Sequence, residues 1–295
     1  MRDNDSIDDI IEYQLRNGGL SRREFGALGL GAGLMAVLPS VPGAVDVVET
    51  DVDIKTPDGI ADAYFVHPAK GASPGVLIWP DIFGLRPAFR QMGKRLAQAG
   101  YSVLVVNPFY RKKRAPTAPE HADFQDTKTR DLLMGLMGSL TPETSAVDAK
   151  AFVAFLDAQP SVDTRRKLGT MGYCMGGPLT LRTAAASPSR IGAGASFHGG
   201  NLVTDKPDSP HLLIPKITAH YLFAIAENDD QKQPEAKTVL RDAFAKAKLP
   251  AEIEVYAGTK HGWCPPDSQV YNPDAAEKAW TRLLALFKSA LTQGS

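Results

Sequence analysis

Cys174 stands in Gly172-Tyr173-Cys174-Met175-Gly176-Gly177, directly after the apolar stretch Leu168–Met171. The G-x-C-x-G spacing predicts a strand that runs into a sharp turn and then a helix, with the thiol at the tip. A residue at such a tip is held in a strained backbone conformation. Side chains two positions to either side would collide with the reversed chain, which is why glycine belongs there. The helix that follows aims its N-terminus at the sulfur, and its dipole favours thiolate. Nucleophilic chemistry at that thiol needs a base, an acid to orient the base, and donors for an oxyanion.

The base candidate is His261, in Gly258-Thr259-Lys260-His261-Gly262, after the strand-like run Glu252–Tyr256. The acid candidate lies in Glu227-Asn228-Asp229-Asp230, at the end of the buried-strand pattern His220–Ala226. The strand end favours Asp229, with Asp230 and Glu227 as alternatives. The order nucleophile, acid, base is a known arrangement of a triad along a chain. Two backbone N–H groups are expected to form the oxyanion hole: Met175, after the nucleophile, and Ile82, in Pro80-Asp81-Ile82-Phe83-Gly84 after the apolar run Gly75–Trp79. Asp81 either faces the thiol and modulates its protonation or caps a turn. His198 and Trp263 are candidate pocket residues; His198 equally suits a satisfied histidine at a strand end. Neither cysteine has histidines at metal-ligand spacing, so no metal is expected. Cys264 is three residues past His261. A disulfide to Cys174 would abolish the nucleophile, so free thiols are expected.

These groups need a scaffold. Val47–Lys55 and Ala61–Val66 flank Pro57-Asp58-Gly59 and predict a hairpin at a sheet edge. Gly75–Trp79 and Ser102–Val106 are strands covered on both faces. Helices are expected over Arg86–Ala99, Gly177–Ala186, Glu235–Ala247 and Asp274–Leu291, and from Thr141-Pro142-Glu143 to about Ala158. Gly192–Phe197 is a further strand. Strands alternating with helices imply an α/β fold with a doubly wound, mostly parallel sheet flanked by helices, its active groups at the C-terminal strand edges. Arg111–Leu140 is a long polar connection with some helix, placed to overhang the site.

The 295 residues are 43% hydrophobic and 22% charged with a formal net charge of zero. That suits one large core and gives no basic tract for nucleic acid. Arg111-Lys112-Lys113-Arg114 reads as a solvated loop. Residues 1–44 are set apart from the single domain expected over 45–295. Ser21-Arg22-Arg23-Glu24-Phe25, the Gly/Ala-rich apolar stretch Phe25–Leu38 and Pro42-Gly43-Ala44 make a twin-arginine export signal. The stretch is too short to span a bilayer. The expected location is therefore periplasmic or otherwise exported, with the twin-arginine translocase as partner during export and no stable membrane association after cleavage.

Together, Pro80–Gly84, the Gly172–Gly177 turn, Ala226–Asp229 and His261-Gly262-Trp263 resemble the dienelactone hydrolase family of α/β-hydrolases. The resemblance spans about Val47 to Phe287. It implies a cofactor-free hydrolase of small-molecule esters or lactones that works through a cysteine acyl-enzyme, with Cys174, Asp229 and His261 as its triad. The family's first-loop glutamate falls at Asp81, one methylene shorter. Tyr110-Arg111 falls near a position where the family clamps a substrate carboxylate, but the position after the histidine is Pro265. Neutral esters or lactones are therefore expected to be processed at least as well as the anionic dienelactone. Two other readings share these residues: a non-catalytic or redox-responsive binding protein, which needs no Asp–His pair, and a thioesterase or peptidase, since pocket shape decides the bond.

Overall fold

In the computed structural model of the chain, residues 36–119 and 122–291 are described. Ser21–Phe25 and most of the apolar stretch read as an export signal lie outside them. Among the described residues one sheet holds eight strands: β1 (Val47–Thr56), β2 (Gly59–Pro68), β3 (Gly75–Trp79), β4 (Ser102–Val106), β5 (Leu168–Tyr173), β6 (Ile191–Phe197), β7 (His220–Ala226) and β8 (Ala251–Tyr256). Their spatial order is β1-β2-β4-β3-β5-β6-β7-β8. The expected hairpin is there: Thr56 pairs with Gly59 across Pro57-Asp58, and β2 also runs antiparallel to β4. The other pairings are parallel.

Strand period sorts the core into two layers. Leu77 and Trp79 of β3 face one layer and Val76 and Ile78 the other. The first layer is covered by α3 (Pro142–Asp157), α4 (Gly176–Ala186) and α6 (Ala236–Ala247), through Phe152, Leu181 and Phe244 among others. The second is covered by α1 (Pro87–Gln98) and α7 (Pro273–Ala290), through Phe89, Leu96, Leu283 and Phe287. Local chemistry sets the helix ends. Thr141 caps α3 with a reciprocal bond from Thr144, and Pro142 occupies its first turn. Gly100, at φ 96°, closes the chain after α1.

The topology decides where chemistry can occur. From β3 the chain first steps to β4 on one side, then returns to place β5 on the other. At that switch point the loops leaving β3 and β5 diverge and open a crevice at their C-terminal ends. The long connection after β4 crosses this end. It carries α2 (Thr127–Met137), whose first turn is capped by the Asp126 carboxylate accepting from Thr129 N–H at 2.8 Å.

Candidate active site

The turn between β5 and α4 is built as its glycines require. Cys174 has φ 54°, left-handed for a residue that carries a Cβ. A Cβ on Gly172 would lie 2.0 Å from the Gly176 carbonyl oxygen. One on Gly176 would lie 2.4 Å from the Trp79 carbonyl oxygen at the end of β3. Neither clash can relax, because both partners are backbone, so glycine is obligatory at both positions. The Cys174 N–H donates to the Phe197 carbonyl at 3.1 Å, which ties the tip to β6. The thiol is half-buried.

His261 reaches this thiol from the loop after β8. Its Nδ1–H donates to Asp229 Oδ2 at 2.6 Å, and the Cys174 side chain lies near enough to favour the charged ring. Burial disfavours the imidazolium, but the bonds and charges of Asp229 and Cys174 outweigh it, and the His261 pKa is pushed up to about 10.

The acidic run divides its tasks. It forms a short helix, α5 (Glu227–Lys232), directly after the strand end. Glu227 accepts from Gly258 N–H at 3.0 Å, and Asn228 Oδ1 accepts from His261 N–H at 2.8 Å. Asp229 holds the imidazole, while Asp230 pairs with Lys237 at 2.6 Å. Of the three candidate acids, the geometry brings Asp229 to the ring. Asn228, which sequence reasoning missed, fixes the backbone of the same histidine. Its signal was an amide directly before the acid.

Met175 and Ile82 flank the thiol in one apolar cluster with Phe109, Leu133 and Leu136. Among the described residues, no backbone carbonyl accepts from the N–H of either Met175 or Ile82. Two donors of this kind beside a thiol could hold a developing oxyanion.

Other expected site residues serve elsewhere. Asp81 caps the turn, accepting from Phe83 N–H at 2.9 Å, and both of its oxygens bind Arg86, at 2.6 and 3.0 Å. It is the turn cap, not a group aimed at the thiol. The same guanidinium binds Asp267 at 2.6 and 3.0 Å, a pairing 181 residues apart that no sequence pattern announced. Tyr110 and Arg111, expected to contact substrate, converge on the fully buried Asp148 instead. The Tyr110 hydroxyl donates to its Oδ1 at 2.7 Å, and Arg111 binds both oxygens at 2.7 Å while also holding Asp58 at 2.6 Å. They brace the β1–β2 turn against α3. Burial pushes the Asp148 carboxyl up, with Arg111 and Tyr110 opposing.

Trp263 and His198 lie behind the site rather than in an open pocket. Trp263 is fully buried and stacks on Tyr256, with ring centroids 4.9 Å apart. His198, 1% exposed at φ 40°, meets the His261 ring edge to face at 5.1 Å. Among the described residues neither of its nitrogens has a hydrogen-bond partner, and burial followed by the nearby His261 charge drives its pKa well below the usual histidine value. Cys264 is a buried free thiol, pushed up by its apolar surroundings. Among the described residues, no group of three histidine, cysteine or acidic side chains is arranged to hold a metal ion.

A mostly parallel sheet wound in both directions, with a strained cysteine-bearing turn after β5 and an Asp–His pair closing on it, is the architecture of an α/β-hydrolase. The profile of the dienelactone hydrolase family matches residues 61–291. The chain belongs to that family and is a hydrolase. The carboxymethylenebutenolidase of Rhodococcus opacus is 26% identical over 262 residues, which cover 87% of this chain and 96% of that one. Among solved structures, a dienelactone hydrolase-like promiscuous phosphotriesterase from metagenomic libraries has a TM-score of 0.67 at 22% identity, covering 85% of this chain and 100% of its own. The dienelactone hydrolase of Anabaena variabilis has a TM-score of 0.58 at 19% identity, covering 83% and 99%. At those two identities the likeness is one of fold.

Proposed function

We propose that the chain hydrolyses ester or lactone bonds through an acyl-enzyme on Cys174. Proton transfer from the thiol to His261 gives thiolate and imidazolium, a state that Asp229 stabilises. The thiolate attacks the carbonyl carbon, and the oxyanion takes hydrogen bonds from the N–H groups of Met175 and Ile82. The C–O bond breaks as the His261 imidazolium gives its proton to the leaving oxygen. Water then loses a proton to His261 and attacks the thioester, releasing the acid and restoring the thiol. The observation that carries this reading is the linked set Cys174, His261 and Asp229, with Asp229 at 2.6 Å from the ring and Cys174 at φ 54°. The Asp–His pair is also what disfavours a redox-responsive binding protein, which has no use for it. The test is a panel of aryl esters and lactones. Wild type turns over at least one, and Cys174→Ala loses about 10⁴-fold or more in kcat. A folded Cys174→Ala protein with near-full activity contradicts the mechanism.

We also propose export by the twin-arginine route to the periplasm, on the strength of Arg22-Arg23 before Phe25–Leu38. Changing both arginines to lysine is expected to leave precursor in the cytoplasm; mature protein outside despite that change contradicts the route.

A further inference from the structure

We infer that α2 supplies an apolar wall for the acyl half of the substrate, so that the enzyme prefers uncharged esters or lactones with a medium-length alkyl or aryl acyl group. This rests on Cys174 being the nucleophile. The apolar cluster around the thiol is distinct from the two layers that cover the sheet. It joins Cys174 and its neighbours Met175 and Ile82 to Leu133 and Leu136 of α2, with Met137 and Phe124 half-buried at its margin. Leu133, Leu136 and Met137 follow the spacing of a single helical face, and Leu140 packs on the same cluster just past the helix end. That face is turned toward the nucleophile.

The direction of the acyl group follows from the chemistry. The leaving oxygen must face His261, which protonates it. The acyl substituent then extends away from His261, on the side of Met175 and Ile82. The apolar side chains on that side include none from the His261 loop, and the one guanidinium stacked on their margin, Arg86 over Phe83 at 5.4 Å, is already paired. An anionic acyl group would also find no spare guanidinium at Arg86, on the loop after β3, or at Arg111, on the connection after β4. Arg86 is held by Asp81 and Asp267, and Arg111 by Asp58 and Asp148. Each arginine thus faces two carboxylates, and a carboxylate set among these apolar side chains would lose its water. An alkyl group is favoured there instead, by about fourfold for each methylene removed from water. Met137, unbranched and half-buried, suits a wall that adapts to more than one acyl shape.

The test measures kcat/KM for 4-nitrophenyl acetate, 4-nitrophenyl hexanoate and the mono-4-nitrophenyl ester of adipic acid, which ends a six-carbon acyl chain in a carboxylate. The full chain, Met137→Lys, Leu136→Ala and Cys174→Ala are compared. Ratios between substrates within one variant do not depend on how much of it is folded. Wild type is expected to favour hexanoate over acetate, and hexanoate over the adipate ester, each by at least about tenfold. Met137→Lys is expected to raise the adipate-to-hexanoate ratio at least about tenfold. Leu136→Ala, which removes part of the wall, is expected to lower the hexanoate-to-acetate ratio. A flat acyl profile, a wild-type preference for the adipate ester, or unchanged ratios in both α2 variants would overturn the inference. If that happens while Cys174→Ala is inactive, the nucleophile assignment stands and only the acyl wall falls. Activity in Cys174→Ala removes the nucleophile assignment, and the acyl wall with it.

Discussion

His198 and His261 touch edge to face at 5.1 Å, yet their protons are driven in opposite directions. Burial opposes the charged ring in both. His261 has the Asp229 carboxylate on Nδ1 and the Cys174 thiol beside it, and its pKa is pushed up to about 10. His198 has no hydrogen bond to either nitrogen among the described residues, and its pKa falls well below the usual value. The difference lies in the partner. Burial alone makes imidazole a weaker base, and only a fixed anion reverses that. One ring is thereby held ready to carry a proton, and the other stays neutral against it.

The strongest way to break this contrast is to remove the anion. Asp229→Asn keeps the shape of the side chain but supports the wrong tautomer of His261, and is expected to lower kcat on an aryl ester by about 10⁴-fold. Asp230→Asn loses only a half-exposed pair with Lys237, so a change below about threefold is expected. If the two variants trade places, Asp230 and not Asp229 orients the base.

A smaller effect appears in stability against pH. The His261 pKa is raised on folding, so its contribution is complete below about 6.5 and is lost as pH climbs toward about 10. The His198 pKa is depressed, so the unfolded chain takes up a proton that the folded one refuses, and stability is lost as pH falls below about 6.5. Thermal melts across pH 5 to 10 are therefore expected to show an alkaline decline that Asp229→Asn flattens and an acid decline that His198→Phe flattens. Parallel curves for wild type and both variants would mean that neither ring titrates as its surroundings dictate.

What could be read from the sequence follows the range of each interaction. The turn at Cys174 was legible because its constraint is local: Gly172 and Gly176 are needed by backbone atoms a few residues away or at the end of the neighbouring strand. The strands were legible from apolar runs and the helix starts from caps such as Thr141-Pro142. Order along the chain picked out Asp229 and His261, and their ring contact follows it. The partners of Arg111 could not be read, and Asp81 stayed open between two roles, because a charge in a sequence carries no mark of its partner. Arg111 is committed to Asp148, 37 residues away on a packed helix, and Asp81 to Arg86, which is itself anchored by Asp267. Trp263 resembled a pocket residue from its place two positions after the base. The chain turns inward there and stacks it on Tyr256. Only tertiary packing decides which face such a ring presents.

The central claim is covalent: Cys174 carries the acyl group between two half-reactions. It is tested most directly by intact-protein mass spectrometry of the enzyme quenched in acid within milliseconds of mixing with a slowly deacylating aryl ester, followed by peptide mapping. The expected result is a mass increase equal to one acyl group, located on the peptide that contains Cys174 and absent from Cys174→Ala. An adduct on Cys264 or elsewhere, or steady turnover with no adduct and full activity in Cys174→Ala, would contradict it.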